Sequence, residues 1–76
     1  MKKFEHIVSE FLQLPEAEVA DALTPHEIPN WDSMNYLLLI AALEKEYGIS
    51  LTMDEVLSAK SLGDVRAALR SKGVPV

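Results

Sequence analysis

One helix start constrains this chain more than any other feature. Asp32-Ser33-Met34 stands directly before an apolar run, Tyr36 to Leu43, which ends in Glu44-Lys45-Glu46-Tyr47-Gly48-Ile49. Aspartate is a strong N-cap, because its carboxylate accepts an N–H that the first helical turn cannot pair internally. Glycine at the far end suits the left-handed residue that stops a helix. The interval predicts a helix over 33–47. On it Tyr36, Leu39, Ile40, Leu43 and Tyr47 form one apolar stripe, while Met34, Leu37, Leu38 and Ala41 lie on another side. That is more apolar surface than a single core face requires. The second stripe either packs beneath a neighbouring loop or stays partly exposed to meet partners, and the excess favours exposure.

The rest of the chain also has a helical period. Phe4, Ile7, Val8, Phe11 and Leu12 recur at helical spacing within a first helix predicted over 2–14, which Pro15 ends. From Pro15 to Trp31 three prolines break the pattern, giving a long connection with room for one helical turn at Glu16 to Ala20. Val19, Leu23, Ile28 and Trp31 are spaced to pin that loop to the bundle. Trp31, just before the cap, is placed to act as a hydrophobic staple. Thr52-Met53-Asp54-Glu55 reads as a capping box for a short helix that buries Val56 and Leu57. Ser61-Leu62-Gly63-Asp64 opens the last helix, with Asp64 in the place of the usual Glu or Gln partner. Leu62, Val65, Ala68 and Leu69 face inward, Gly73 and Pro75 end the helix, and Arg70 and Lys72 complement its dipole. The fold class is all-α: a small four-helix bundle of three longer helices and a short third one. A long loop joins helices 1 and 2, and a single domain covers residues 1–76.

Composition removes several function classes. A net charge of −5 and a pI near 4.8 exclude the basic clusters that a nucleic acid requires, and favour basic protein surfaces as partners. No apolar stretch approaches the ~20 residues needed for a membrane span, and no signal-peptide pattern is present. A cytoplasmic monomer is expected. The chain has no cysteine, so any thioester chemistry needs sulfur from an attached group. Ser33 lacks the Gly-x-Ser-x-Gly context of a hydrolase nucleophile, and His6 and His26 are not spaced as a metal-ligand pair. Neither catalytic residues nor a metal site are expected. What Ser33 does have is a helix start, where unpaired amides and the positive dipole end favour an attached phosphate.

From Trp31 to Leu69, order and spacing resemble the acyl and peptidyl carrier protein family. That family opens its second helix with Asp-Ser-Leu, closes it with Glu-x-x-Phe-Gly-Ile and begins its last helix with Thr-Val-Gly-Asp. Here these read Asp32-Ser33-Met34, Glu44-Lys45-Glu46-Tyr47-Gly48-Ile49 and Lys60-Ser61-Leu62-Gly63-Asp64-Val65. The resemblance implies a phosphoprotein of the acyl-carrier fold, with 4′-phosphopantetheine joined to Ser33 by a phosphopantetheinyl transferase. Acyl or aminoacyl groups would ride on it as thioesters, passed from a loading enzyme to synthase or acyltransferase enzymes of fatty-acid, polyketide or related secondary-metabolite biosynthesis. The carrier itself would not be an enzyme. Asp32 would act as both cap and transferase recognition residue, and Met34, Leu37, Leu38, Ala41 and Glu44 would meet partners.

Some positions depart from the pattern. Asn30 stands where the family has glycine, and Met34 replaces leucine. Asn35 and Leu38 occupy positions that are acidic in fatty-acid carriers, which implies less acidic and more apolar partner recognition. The start at Met1 and the end soon after the last helix suit a freestanding carrier. The competing class is an unmodified helical interaction domain in which Ser33 is only the first helical residue.

Overall fold

A computed structural model describes residues 2–76. Four α-helices run in the order α1 (Phe4–Leu12), α2 (Ser33–Tyr47), α3 (Met53–Ser58) and α4 (Leu62–Ser71), with a 3₁₀ turn at Glu16–Glu18. No strand occurs among the described residues. The helices close around one core. It is built from Phe4, Ile7, Val8 and Leu12 of α1, Leu39, Ile40 and Leu43 of α2, Val56 of α3, and Leu62, Val65 and Leu69 of α4. Ile28 and Trp31 add the loop to that core, and Val74 folds the tail back onto it.

Helix α1 is shorter than its apolar pattern predicts, for one reason at each end. At its start, the Lys2 N–H donates to Glu46 Oε2 (2.9 Å) and the Lys2 carbonyl accepts from the Tyr47 hydroxyl (2.8 Å). The end of α2 therefore holds this backbone outside the helix. At its end, Gln13 takes the left-handed conformation (φ 54°, ψ 52°) and stops the helix two residues before Pro15 can. The Asn30 side-chain amide reaches the Leu12 carbonyl and Gln13 Oε1 there, both at 3.4 Å. Phe11, expected on the inner face, is only half-buried.

Helix α2 spans the predicted residues, and Gly48 ends it at φ 65°. In α3 the capping box is complete: Thr52 Oγ1 accepts the Glu55 N–H (3.1 Å) and Glu55 Oε1 accepts the Thr52 N–H (2.8 Å). The bond from the Thr52 backbone, and after it a bond from the Lys72 ammonium, hold the Glu55 carboxyl below its usual range. Leu57 contradicts its expected burial and is exposed. Six residues make fewer than two turns, and Leu57 lies about 100° around the helix from inward-facing Val56. In α4, Ser61 Oγ accepts the Asp64 N–H (3.3 Å), but Asp64 does not close a box on Ser61. Its carboxylate instead accepts the Lys60 N–H, one residue earlier, at 2.8 Å. A side chain one carbon shorter than Glu caps the preceding amide.

The start of α4 welds the long loop into the fold. Leu62 N–H donates to the Leu23 carbonyl (3.0 Å) and Gly63 N–H to the Asp21 carbonyl (2.9 Å). A Cβ on Gly63 would lie 3.0 Å from the Asp21 Cβ, so a larger residue would crowd this approach by a few tenths of an ångström. One turn on, the Arg66 guanidinium donates to Glu5 (2.8 Å) and Asp21 (2.9 Å) and sits 4.6 Å from the centre of the Phe4 ring. One side chain thus joins α4, the loop and α1, with cation–π contact as well as charge.

The bond from Arg66, reinforced by a backbone hydrogen bond, holds the Glu5 carboxyl below its ordinary value. Folding therefore favours the ionised form. Its contribution is complete above the unfolded-state carboxyl pKa and is lost as pH falls through the lower folded value. Glu5→Gln should destabilise the fold by about 1 kcal/mol near neutral pH. Urea unfolding at a series of pH values should show that deficit shrinking in the acid range. A deficit independent of pH would contradict the ion-pair account.

Candidate functional site

The first turn of α2 is fixed on several sides. Asp32 is extended (φ −103°, ψ 177°), its Oδ1 accepts the Asn35 N–H at 2.8 Å and its carbonyl accepts the Tyr36 N–H at 2.9 Å. The Asn35 side chain donates back to the Asn30 carbonyl at 2.9 Å, which ties the loop to the helix it feeds. Trp31 is buried, with its ring centre 5.7 Å from that of Tyr36 and the planes 37° apart. This is the staple expected between the residue before the cap and the fourth helical residue. Tyr36 then reaches α3 through its hydroxyl, which donates to the Val56 carbonyl at 2.6 Å.

Ser33 is exposed at the first helical position. The Asp32 carboxylate satisfies the third-residue amide, so the N–H groups of Ser33 and Met34 are left without an intrahelical acceptor. Those amides and the dipole's positive end favour an anion attached there. Beside the hydroxyl lies an open cleft of about 290 Å³ between α2, α3 and the loop. Pro25, Trp31, Tyr36, Val56, Leu57 and Ala59 line it together with Asp32 and Ser33.

Met34, Leu37 and Leu38 are 72%, 52% and 50% exposed, and Ala41 is exposed with them. The long loop does not cover this stripe. Helix α3 adds Met53 and Leu57 as exposed apolar residues. Glu44 is set apart from the stripe. It is half-buried, and its Oε2 accepts the Leu51 N–H (2.8 Å), which secures the turn after α2.

Two residues matter more than their sequence context suggested. Asn35, notable in the sequence as a lost acid, braces the cap. Tyr36, counted with the core stripe, is only half-buried and lines the cleft. The available signal was the pair Asn30 and Asn35 flanking a cap, since asparagine side chains readily bond nearby backbone. The histidines lie apart from this cleft. His6 faces Glu10 (3.3 Å) and Glu16 (3.4 Å), and His26 is exposed in the loop. Among the described residues no group of three or more His, Cys, Asp or Glu could hold a metal ion.

Residues 2–69 match the family model for the phosphopantetheine attachment site, and the chain belongs to that family. Among solved structures, the chain is similar to a Mycobacterium tuberculosis protein assigned as an acyl carrier protein. The TM-score is 0.81 at 19% identity, covering 91% of this chain and 92% of that one. No curated protein sequence matches. The chain is therefore a phosphopantetheine attachment domain, and its fold is that of the similar solved structure.

If Asp32 supplies the cap, Asp32→Ala should lower unfolding free energy by about 1 kcal/mol. Ser33→Ala should stay within about 0.5 kcal/mol of the parent, because its side chain is exposed. Thermal and urea unfolding of both variants check this. Equal effects would contradict the division of labour between them.

Proposed function

We propose that this protein is an acyl carrier with 4′-phosphopantetheine joined covalently to Ser33 Oγ. The observation that carries this is an exposed serine at the first residue of a firmly capped helix, in a chain of the phosphopantetheine attachment family. The residues present fit the group: the hydroxyl is accessible, free amides favour the phosphodiester's charge, and an apolar cleft adjoins it. The bound arm supplies the thiol that a cysteine-free chain lacks. Acyl or aminoacyl groups held there as thioesters pass from a loading enzyme to synthase or acyltransferase partners. Asp32 holds the serine's turn in shape and presents it to the phosphopantetheinyl transferase.

Partner choice follows from the surface of α2. Met34, Leu37, Leu38 and Ala41 form an apolar docking stripe, and Asn35 is committed to bracing the loop. The Glu44 carboxylate is likewise committed to Leu51, so the apolar stripe carries more of the recognition than Glu44. Such a surface suits polyketide, peptide or related secondary acyl pathways better than fatty-acid synthase enzymes that expect acids at positions 35 and 38. The shared core of the described residues supports a single carrier domain over 1–76. No helix among those residues is long and apolar enough to cross a membrane, which is compatible with work as a cytoplasmic monomer.

Incubation with coenzyme A and a broad-range transferase should add one phosphopantetheine to the parent protein and none to Ser33→Ala. An adduct that persists in the alanine variant would move the site. No adduct on the parent would leave the domain as an unmodified helical interaction module.

The stripe has its own test. Leu38→Glu should leave the melting midpoint within about 2 °C, as for other exposed positions, while weakening the native partner about tenfold. A large fall in the midpoint would place Leu38 in the core and end its recognition role.

A further inference from the structure

One side-chain hydrogen bond ties α2 to α3 at the open cleft beside Ser33. Tyr36 follows Ser33 by three residues on α2, lines the cleft, and donates its hydroxyl to the Val56 carbonyl of α3 at 2.6 Å. Among the described residues it is the only side-chain hydrogen bond between these two helices. Beneath it Leu39, Leu43, Leu62 and Leu69 are completely buried and leave no surface exposed. The cleft above is open, and its volume of about 290 Å³ lies at the bottom of the range for small-molecule sites, roughly 300–1,000 Å³.

The closing bond matters because α3 has little else to hold it. At six residues it is too short to be stable alone, and Val56 is its one buried residue. Its remaining ties are the capping box and the pair between Lys72 and Glu55 at 3.1 Å. Elements with few buried contacts are the ones that open locally. Burial first, with Asp64 adding to it, pushes the Tyr36 hydroxyl above its usual range and keeps it a protonated donor at neutral pH. An alkyl chain entering between the helices would leave that hydroxyl and the Val56 carbonyl unpaired in apolar surroundings, which is costly.

We propose that Tyr36 is a specificity-determining latch that keeps α3 closed on α2, so that a group carried at Ser33 stays outside the bundle. This rests on the carrier role of Ser33. The cargo class that follows is acyl or aminoacyl groups that tolerate water, rather than long alkyl chains needing shelter. Long chains would gain protection only when the latch is broken.

Tyr36→Phe tests this with little disturbance, because it keeps the ring and its packing on Trp31. The protein should be loaded with an octanoyl-phosphopantetheine arm, the adduct confirmed by mass, and the thioester cleaved with hydroxylamine. On the parent, cleavage should proceed within about twofold of octanoyl-coenzyme A, and Tyr36→Phe should slow it by at least about twofold. A shielded thioester on the parent, or equal rates in both proteins, would overturn the proposal. Hydrogen exchange of the unmodified proteins gives a second reading that needs no loading. The amides of α3 should exchange about fivefold faster in Tyr36→Phe, with α1 unchanged. Equal exchange in α3 would refute the latch. Failure to load, with α3 exchange accelerated as expected, would instead refute the carrier role and leave the latch standing.

Discussion

An α-helix begins with amides that it cannot pair, and everything at the functional end of this molecule follows from how α2 meets that requirement. Asp32 takes the third-residue amide with its carboxylate at 2.8 Å. By doing so from the cap position, it leaves Ser33 free of structural duty at the next residue. The same turn is braced from the loop side by Asn35 on the Asn30 carbonyl, and from the core side by Trp31 on Tyr36. The result is a first turn held from several sides around an exposed Ser33. For the proposed modification, a hydroxyl held this way would offer one geometry to the transferase, and the remaining amides of the turn would meet the charge that is added.

The long loop, which has little regular structure, is held by backbone and charge at one end and by buried apolar residues at the other. Carbonyls of Asp21 and Leu23 cap the start of α4, and Arg66 bridges Asp21 to Glu5 on α1. These contacts fix the loop at one end, while Ile28 and Trp31 bury it at the other. The serine's turn is thereby connected to the far helix without any element crossing the cleft beside it. Rigidity in the loop and an open, shallow surface next to Ser33 are compatible because the restraints act from below.

Features set by local chemistry were legible in the sequence. The bounds of α2, the capping box of Thr52 and Glu55, the staple of Trp31 and the glycine stop at Gly48 each depend on residues within a few positions of one another. Features set by length and distant partners were not. Leu57 has an apolar side chain in a helical pattern, yet six residues cannot turn it inward once Val56 faces the core. Asp64 stands at the usual box position but leaves the box open, its carboxylate accepting the Lys60 N–H instead. Helix α1 loses its first residues because the end of α2 claims the Lys2 backbone, a contact spanning most of the chain. At the site, Ser33 and Asp32 were readable as a motif. The duties of Asn35, Tyr36 and Glu44 were harder to read, because each side chain bonds a backbone group outside its own helix.

The start of α2 is proposed to hold a covalent anion on Ser33. The most direct measurement is fragmentation mass spectrometry of the protein purified from the cells that make it, with the adduct localised within the peptide that contains residues 31–36. A phosphopantetheine mass is expected on Ser33, with or without an acyl or aminoacyl group on its thiol. Fully unmodified Ser33 in protein from cells that actively load other carriers would contradict it.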